Sequence, residues 1–98
     1  MTPCVSIIIA SYNKEKYIGE TINSVIKQTY TEWELIIIDD FSTDQSVDVI
    51  SGFLTDARIT LIKNDRNRGA NHSRNSGIKT ARGKYVLFLD ADDILAPT

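Results

Sequence analysis

Four short runs of mostly β-branched apolar residues limit the folds open to this chain more than any other feature of its sequence. The runs cover residues 5–10, 35–38, 59–62 and 85–89. Because they show no clear alternation between apolar and polar residues, they are typical of strands that are buried on both faces, as in a parallel sheet. The chain is thus predicted to be built on four buried strands.

Each of the segments between these runs has the pattern of a helix. Asn13 is the expected N-cap of the first helix, and Ser42 or Thr43 that of the second. The expected apolar face of the first helix consists of Ile18, Ile22, Val25, Ile26 and Thr29. The expected face of the second consists of Val47, Ile50 and Leu54, with Val49 and Phe53 alongside.

The third helix is expected over residues 71–80, although a glycine such as Gly77 costs about 1 kcal/mol relative to alanine inside a helix. Residues 81–83 contain a second glycine and should end it. The resulting β-α-β-α-β-α-β order predicts a three-layer α/β domain with a parallel sheet and right-handed crossovers. We expect a Rossmann-like strand order of 3-2-1-4, in which the order reverses between strands 1 and 4.

Polar residues follow every predicted strand, and parallel strands would place all of them at one edge of the sheet. Ligands in open α/β sheets bind beyond the carboxyl ends of the strands, at the point where the strand order reverses. The residues concerned are Ser11, Tyr12 and Asn13, then Asp39, Asp40 and Ser42, then residues 64–69, and finally Asp90, Asp92 and Asp93.

Carboxylates gathered at one edge repel one another and favour a bound cation. Oxygen ligands suit Mg²⁺ or Mn²⁺, which one or two carboxylates typically hold together with substrate phosphates. A diphosphate is therefore the expected ligand, and Arg66, Arg68 and Arg74 are candidates to meet its remaining charge or the base.

Each of these residues also has a purely structural interpretation. Asp39 and Asp40 precede a helix, where acidic residues are stabilising. The acidic turn at residues 90–93 is also compatible with a solvated loop. We favour the functional interpretation for both groups. Ser42 or Thr43 would suffice as a cap without Asp39 and Asp40, and three acids in four residues are more than a solvated loop at residues 90–93 requires. For Tyr12 both roles stay open: it stacks on a base, or it covers the edge of the sheet.

The bulk properties of the chain exclude several classes of protein. A formal net charge of −2 excludes a strongly basic nucleic-acid binder. Cys4 is the only cysteine, so the sequence contains no internal disulfide. No apolar run approaches the length of about 20 residues that spans a bilayer, and the start of the chain lacks a signal-peptide pattern. These observations predict a cytoplasmic location.

Four segments resemble the motifs of family 2 glycosyltransferases, in the order in which that family carries them. They are residues 5–13, 34–44, 67–77 and 83–93, and the last contains an Asp-x-Asp motif. The resemblance covers essentially the whole chain. It implies a GT-A fold, a nucleoside diphosphate sugar as donor, often a UDP-sugar, and a divalent cation.

The resemblance also implies roles for individual residues. Tyr12 and the backbone around Ala10 would border the nucleoside. Asp40, together with Asp39, would contact the base. Asp92 would be the main metal ligand, with Asp90 near the ribose or a metal-bound water. Arg68 and Arg74 would contact the nucleotide.

Members of this family are much longer than 98 residues, and their acceptor-binding half and catalytic base follow the Asp-x-Asp region. We therefore expect a single nucleotide-sugar-binding domain over residues 1–98, truncated before the acceptor-binding half. The base should lie beyond Thr98, so the chain would contain no catalytic residue and would not transfer sugar alone.

The intact enzyme would invert the anomeric centre and act on a glycan, a lipid-linked intermediate or a protein. It would work in the cytoplasm or at the inner face of the membrane, and the truncated face of the chain invites self-association.

Other classes agree less well with the sequence. It contains neither the G-x-G-x-x-G of dinucleotide-binding domains nor the G-x-x-x-x-G-K-[ST] of P-loop proteins. A phosphoryl-transfer domain of the haloacid dehalogenase kind also uses an Asp-x-Asp motif, but on its first strand, whereas here the motif follows the fourth. A non-catalytic nucleotide-binding or pseudo-enzyme fragment remains the main alternative.

Overall fold

The four apolar runs form the strands of one parallel sheet, and the segments between them form helices on both of its faces. The computed structural model describes residues 3–95, so the expected end of the domain, in residues 96–98, lies outside the described residues. The strands are β1 (Val5–Ser11), β2 (Trp33–Asp39), β3 (Ile59–Lys63) and β4 (Tyr85–Phe88). The helices are α1 (Ile18–Ile26), α2 (Ser46–Ser51) and α3 (Ala70–Thr80).

The strand order is β3-β2-β1-β4, which confirms the predicted 3-2-1-4 arrangement. Every neighbouring pair of strands is parallel. The order therefore reverses between β1 and β4, as expected. None of the helices within residues 3–95 is long and apolar enough to cross a bilayer.

Alternation along β1 divides the core into two layers, because successive side chains point to opposite faces of a sheet. Ile7 and Ile9 belong to the larger cluster, which the buried side chains of α1 and α2 complete. Ile8 belongs to a smaller cluster with Ile36 and Ile38, on the face that α3 covers.

Gly77 determines how closely α3 approaches the second face. A β-carbon at this position would lie 2.5 Å from Cγ2 of Ile8 and 3.0 Å from Cδ1 of Ile38. A side chain at this position would force Ile8 and Ile38 to shift, whereas glycine lets the helix lie directly on β1 and β2. The cost of glycine inside a helix is offset here by close packing.

The expected helix caps are wrong, because the candidate residues bind a neighbouring loop instead of their own helix. Asn13 lies in the left-handed region with φ of 52°. Its side-chain carbonyl accepts hydrogen bonds from the N–H groups of Thr43 at 2.8 Å and Asp44 at 3.3 Å. Helix α1 begins only at Ile18 and has no side-chain cap. Helix α2 begins at Ser46, so neither Ser42 nor Thr43 caps it.

Two further helix expectations need correction. Thr29 lies beyond the end of α1, which ends at Ile26. Leu54 lies beyond α2 and is 39% exposed, so it does not contribute to the buried face. That face is formed by Ile50, with Val49 and Phe53 packed against the core.

The fourth strand is exposed, although the sequence predicted that it would be buried. Relative exposures in β4 run from 40% at Leu87 to 59% at Tyr85. The strand lies at the edge of the sheet, where β1 is its only partner among the described strands. The helices of residues 3–95 make their main sheet contacts with β1 and β2, so β4 is left uncovered.

Candidate functional site

The turn that follows β4 brings three carboxylates together. One oxygen from each of Asp90, Asp92 and Asp93 can be chosen so that all lie within 4.8 Å of one another. The N–H of Asp93 donates to the carbonyl of Asp90 at 3.0 Å and closes the turn. Ala91 is buried beneath it, and its carbonyl accepts a hydrogen bond from Thr21 Oγ1 at 2.9 Å. The sequence-predicted ligands Asp90 and Asp92 therefore share one cluster, which we call the acidic turn.

The composition of the acidic turn fits a hard divalent cation. Carboxylate oxygens are the donors that Mg²⁺ and Mn²⁺ prefer, and their mutual repulsion is relieved by a positive charge. All three side chains are exposed, so a ligand can reach them. The sequence-based prediction counted Asp93 in the acidic group but did not name it as a metal ligand, and the structure groups it with the other two. Its position three residues after Asp90 in a tight turn is the signal that would have named it as a ligand.

Lys14 is a second residue that the sequence-based prediction missed. Its Nζ lies 3.6 Å from Oδ2 of Asp92. Lys14 follows β1 by three residues, and β1 pairs with β4. The loops that follow β1 and β4 leave the same edge of the sheet and lie side by side. Lys14 in the first loop therefore contacts a carboxylate of the second.

Asp40 is buried at the same edge and binds the segment that leads into α3. Its carboxylate accepts hydrogen bonds from the N–H groups of Arg68 at 2.7 Å and Gly69 at 2.9 Å, and from Asn64 Nδ2 at 2.9 Å. Burial by itself would raise the pKa of Asp40, but these donors, led by the N–H of Arg68, outweigh it and hold the pKa below its ordinary value. Asp40 is therefore ionised at neutral pH.

Asp39 lies on the opposite face from Asp40, because neighbouring side chains of a strand alternate. It is also buried, and its carboxylate binds Ser42 twice, accepting from the N–H at 2.9 Å and from Oγ at 2.6 Å. Phe41, which follows Asp40 and precedes Ser42, is exposed with φ of 63°, a backbone conformation that bulky residues seldom adopt. Asp39 thus closes this sharp turn through Ser42, whereas Asp40 binds the segment before α3.

A small cleft opens between the end of β1 and the start of α3. It is lined by Ala10, Ser11, Tyr12, Asp40, Ala70 and Ser73. Tyr12 is 44% exposed, and its ring is available to a ligand. The structure therefore brings the predicted nucleoside residues Ala10, Tyr12 and Asp40 to one place, whereas Asp39 faces the other side of the sheet. Ser11 Oγ is buried and has no hydrogen-bond partner within residues 3–95.

The candidate arginines differ in their surroundings. The guanidinium of Arg68 pairs with Asp65 at 3.0 Å, and it is the backbone of Arg68 that binds Asp40. Arg74 lies in α3 one residue after buried Ser73. Within the described part of the chain, neither Arg66 nor Arg74 forms a salt bridge. Arg66 nevertheless lies near Asp65, and after the hydrogen bond from Arg68 it helps to lower the pKa of that carboxylate.

The loops that follow β1 and β2 are fastened to each other at several points. Asn13 donates its N–H to Ser42 Oγ at 2.9 Å, and Lys14 donates its N–H to Ser46 Oγ at 2.9 Å. The N–H of Glu15 donates to Asp44 Oδ2 at 3.2 Å. Together with the side-chain bonds of Asn13, these contacts hold the cleft and the approach to the acidic turn in one framework.

A parallel sheet of order 3-2-1-4 with helices on both faces is the arrangement of the nucleotide-binding half of GT-A glycosyltransferases. Comparison with known proteins gives the family: residues 6–98 match the sequence model described as "Glycosyl transferase family 2", and the chain belongs to that family.

One relative of the chain is named for its activity. The chain is 47% identical over 90 residues to the UDP-Glc:alpha-D-GlcNAc-diphosphoundecaprenol beta-1,3-glucosyltransferase WfgD of Escherichia coli, a match that covers 92% of this chain and 35% of that protein. The chain spans about a third of the length of the curated relatives that it matches.

Two solved structures share the fold over nearly the whole chain. Residues 1–349 of S. aureus TarS, in complex with UDP-GlcNAc, superpose with a TM-score of 0.88 at 36% identity, over 93% of this chain and 27% of that one. The mannosyltransferase PcManGT from Pyrobaculum calidifontis, in complex with GDP-Man and Mn²⁺, gives a TM-score of 0.87 at 27% identity, over 96% of this chain and 29% of that one.

Proposed function

We propose that this chain is the donor-binding part of a glycosyltransferase that takes a sugar from a nucleoside diphosphate sugar, with a UDP-sugar as the donor, and inverts the anomeric centre. The observation that carries the proposal is the acidic turn, whose three carboxylate oxygens lie within 4.8 Å of one another at the same sheet edge as the cleft. Similarity to proteins in complex with UDP-GlcNAc and with GDP-Man and Mn²⁺ supports it.

The acidic turn would hold the divalent cation, Mn²⁺ or Mg²⁺, with Asp92 as the main ligand and Asp90 and Asp93 beside it. When bound, the cation stabilises negative charge on the departing diphosphate. The fold anchors the backbone of the turn, because Ala91 is buried and its carbonyl accepts a hydrogen bond from Thr21.

The cleft would hold the nucleoside between Tyr12 and the start of α3, beside the backbone of Ala10. A carboxylate offers about four acceptor positions, and Asp40 uses three of them on protein donors. The remaining position would accept from the base. Asp39 would support this contact by holding the turn through Ser42.

Arg68 and Arg74 would contact the nucleotide. Arg68 lies immediately before α3, and Arg74 lies within it. The backbone of Arg68 binds the cleft residue Asp40. Arg74 has no salt-bridge partner in the described residues. A diphosphate carries enough negative charge to bind a guanidinium strongly.

We place the base that deprotonates the acceptor outside these 98 residues, so that this chain alone binds the donor and does not transfer the sugar. The relative from Escherichia coli is named for a diphosphoundecaprenol acceptor. It supports a lipid-linked acceptor among the candidates, and with it a location at the inner face of the membrane. Incubation with UDP-glucose, Mn²⁺ and a mixture of acceptors should give no transfer, and clear transfer would contradict this part of the proposal.

The test of donor binding is a thermal-stability titration of the full chain with UDP, with and without Mn²⁺. Binding stabilises the folded state in proportion to the logarithm of ligand concentration above Kd. We expect stabilisation that requires Mn²⁺, is lost in Asp92→Asn, and is kept in the control Asp48→Asn, which removes an exposed charge from α2. Equal stabilisation in both variants would reject the acidic turn as the site.

The same titration distinguishes the main alternative, a nucleotide-binding fragment without a catalytic role. The presence of all three carboxylates favours the metal-dependent site. UDP binding that is independent of Mn²⁺ and unchanged in Asp92→Asn would favour the alternative.

A further inference from the structure

Lys14 is the cationic side chain that contacts the acidic turn. Its Nζ lies 3.6 Å from Oδ2 of Asp92, and no other salt bridge within residues 3–95 involves Asp90, Asp92 or Asp93. The distance is too long for a hydrogen bond. The contact is therefore an ion pair between partly exposed groups, with side-chain exposures of 37% and 46%.

The backbone of Lys14 is fixed on both sides, unlike that of an ordinary surface lysine. Its N–H donates to Ser46 Oγ at 2.9 Å. Its carbonyl accepts from the N–H groups of Tyr17 at 2.9 Å and Ile18 at 2.8 Å, at the start of α1. The fold therefore determines where this side chain begins.

The acidic turn is attached to the same helix. Thr21, in the first turn of α1, donates its hydroxyl to the carbonyl of Ala91 at 2.9 Å. Further along α1, Ser24 Oγ accepts from the N–H of Leu95 at 3.0 Å. Because both partners of the ion pair are anchored to α1, their proximity is a consequence of the fold and not of chance contact at the surface.

We infer that Lys14 is a diphosphate-binding residue of the donor site: its ammonium, which pairs with Asp92, binds the donor's diphosphate once a divalent cation occupies the acidic turn. The inference rests on the proposed function. A carboxylate that ligates a divalent cation no longer needs the ammonium, and two cations at one carboxylate repel each other. The four-carbon stem of lysine is flexible, so the released ammonium can reach phosphate oxygens bound to the same cation.

This role makes two predictions of opposite sign for the loss of the charge. Without nucleotide, Lys14→Gln should bind Mn²⁺ more tightly, because a competing cation is gone. With Mn²⁺ saturating, the same variant should bind UDP more weakly, because a phosphate contact is gone. A residue that only supports the loop would weaken both, so the pair of measurements separates the two roles.

The experiment uses the full 98-residue chain. Free Mn²⁺ is followed by electron paramagnetic resonance, and UDP binding at saturating Mn²⁺ by calorimetry. We expect Mn²⁺ affinity in Lys14→Gln to rise about two- to fivefold, the range set by the strength of an exposed ion pair. UDP affinity should fall about tenfold, as for loss of a charged hydrogen bond. Lys14→Arg should keep values near those of the unchanged chain.

Lys16→Gln is the matched control. Lys16 is exposed in the same loop, and it forms no salt bridge in the part of the chain that the structure describes. Lys16→Gln removes the same charge but should leave the affinities for Mn²⁺ and UDP nearly unchanged. Should Lys14→Gln not fold, Lys14→Met, which keeps an apolar stem, carries the same two predictions.

The possible failures are distinguishable. If the unchanged chain binds Mn²⁺ and UDP but Lys14→Gln matches Lys16→Gln in both titrations, the inference is wrong and the proposed function stands. Weakening of both affinities in Lys14→Gln also overturns it. If the unchanged chain binds neither probe, the proposed function fails and the inference with it.

Discussion

Two groups of carboxylates lie at the same edge of the sheet, and the protein holds them in opposite ways. Asp39 and Asp40 are buried, and every one of their carboxylate oxygens accepts a hydrogen bond from the chain itself. Asp90, Asp92 and Asp93 are exposed, and Lys14 is their ion-pair partner within the described residues. Most acceptor positions of the first group are occupied by hydrogen bonds within the fold, whereas those of the second group are exposed to solvent.

The difference explains why acidic residues with similar sequence contexts are expected to respond differently to substitution. A buried carboxylate that several N–H groups bind is costly to remove, because its donors are left without partners. An exposed cluster of like charges is instead a source of repulsion until a cation binds. Substitutions in the buried pair should therefore change mainly the free energy of unfolding, and substitutions in the acidic turn mainly ligand binding.

The largest expected effect is on stability, in Asp40→Asn. The amide would present N–H groups to the backbone donors of Arg68 and Gly69, so we expect the free energy of unfolding to fall by about 3 kcal/mol. Urea denaturation measures it. Asp93→Asn is the control from the other group, with an expected change below about 0.5 kcal/mol. Equal losses in the two variants would remove the distinction between the groups.

A smaller effect is expected from acid. The pKa of Asp40 is lowered by folding, so its contribution to stability is complete above its unfolded pKa of about 3.9 and is lost as the pH falls through the lower folded pKa. The stability difference between the unchanged chain and Asp40→Asn should therefore narrow below about pH 4. Denaturation midpoints measured from pH 6 downwards test this. A difference that stays constant into strong acid would show that the charge of Asp40 does not stabilise the fold.

The smallest effect belongs to the acidic turn without metal. Asp93→Asn relieves repulsion and should raise the free energy of unfolding by about 0.3 kcal/mol, an amount that salt should abolish. Asp48→Asn should instead lower stability slightly, since Asp48 lies in the first turn of α2, where negative charge is favourable. A loss of stability in Asp93→Asn would indicate that this carboxylate also supports the fold.

The sheet was predictable because its signal is local. The runs around Ile8 and Ile37 are apolar apart from Ser6, and such runs in a β-α alternation leave few topologies. The exposure of β4 was not predictable in the same way. Its composition is that of a buried strand, but burial depends on what packs against it, and among the described residues no strand pairs with its outer edge.

The loops were less predictable because their contacts are distant in sequence. Asn13 looks like a helix cap, yet it binds Thr43, thirty residues away. Alternation along a strand predicts that Asp39 and Asp40 face opposite sides of the sheet. It does not predict the partners of Asp40, which lie just before α3. Lys14 had a usable signal, since it follows β1 at the edge that also carries Asp92. Parallel strands were enough to predict that these polar residues share one edge of the sheet. Their individual hydrogen-bond partners could be identified only from the structure.

Gly77 has a consequence for the dimensions of the cleft. Ser73 and Gly77 are one helical turn apart, so they lie on the same face of α3, and both are buried against the sheet. Ser73 lines the cleft, and Gly77 sets the separation of the helix from β1 and β2. The lack of a side chain at Gly77 therefore sets how close α3 lies to the sheet, and with it the width of the cleft one turn away. Changes in the packing beneath α3 would be transmitted to the cleft as a change of shape, without any substitution among the residues that line it.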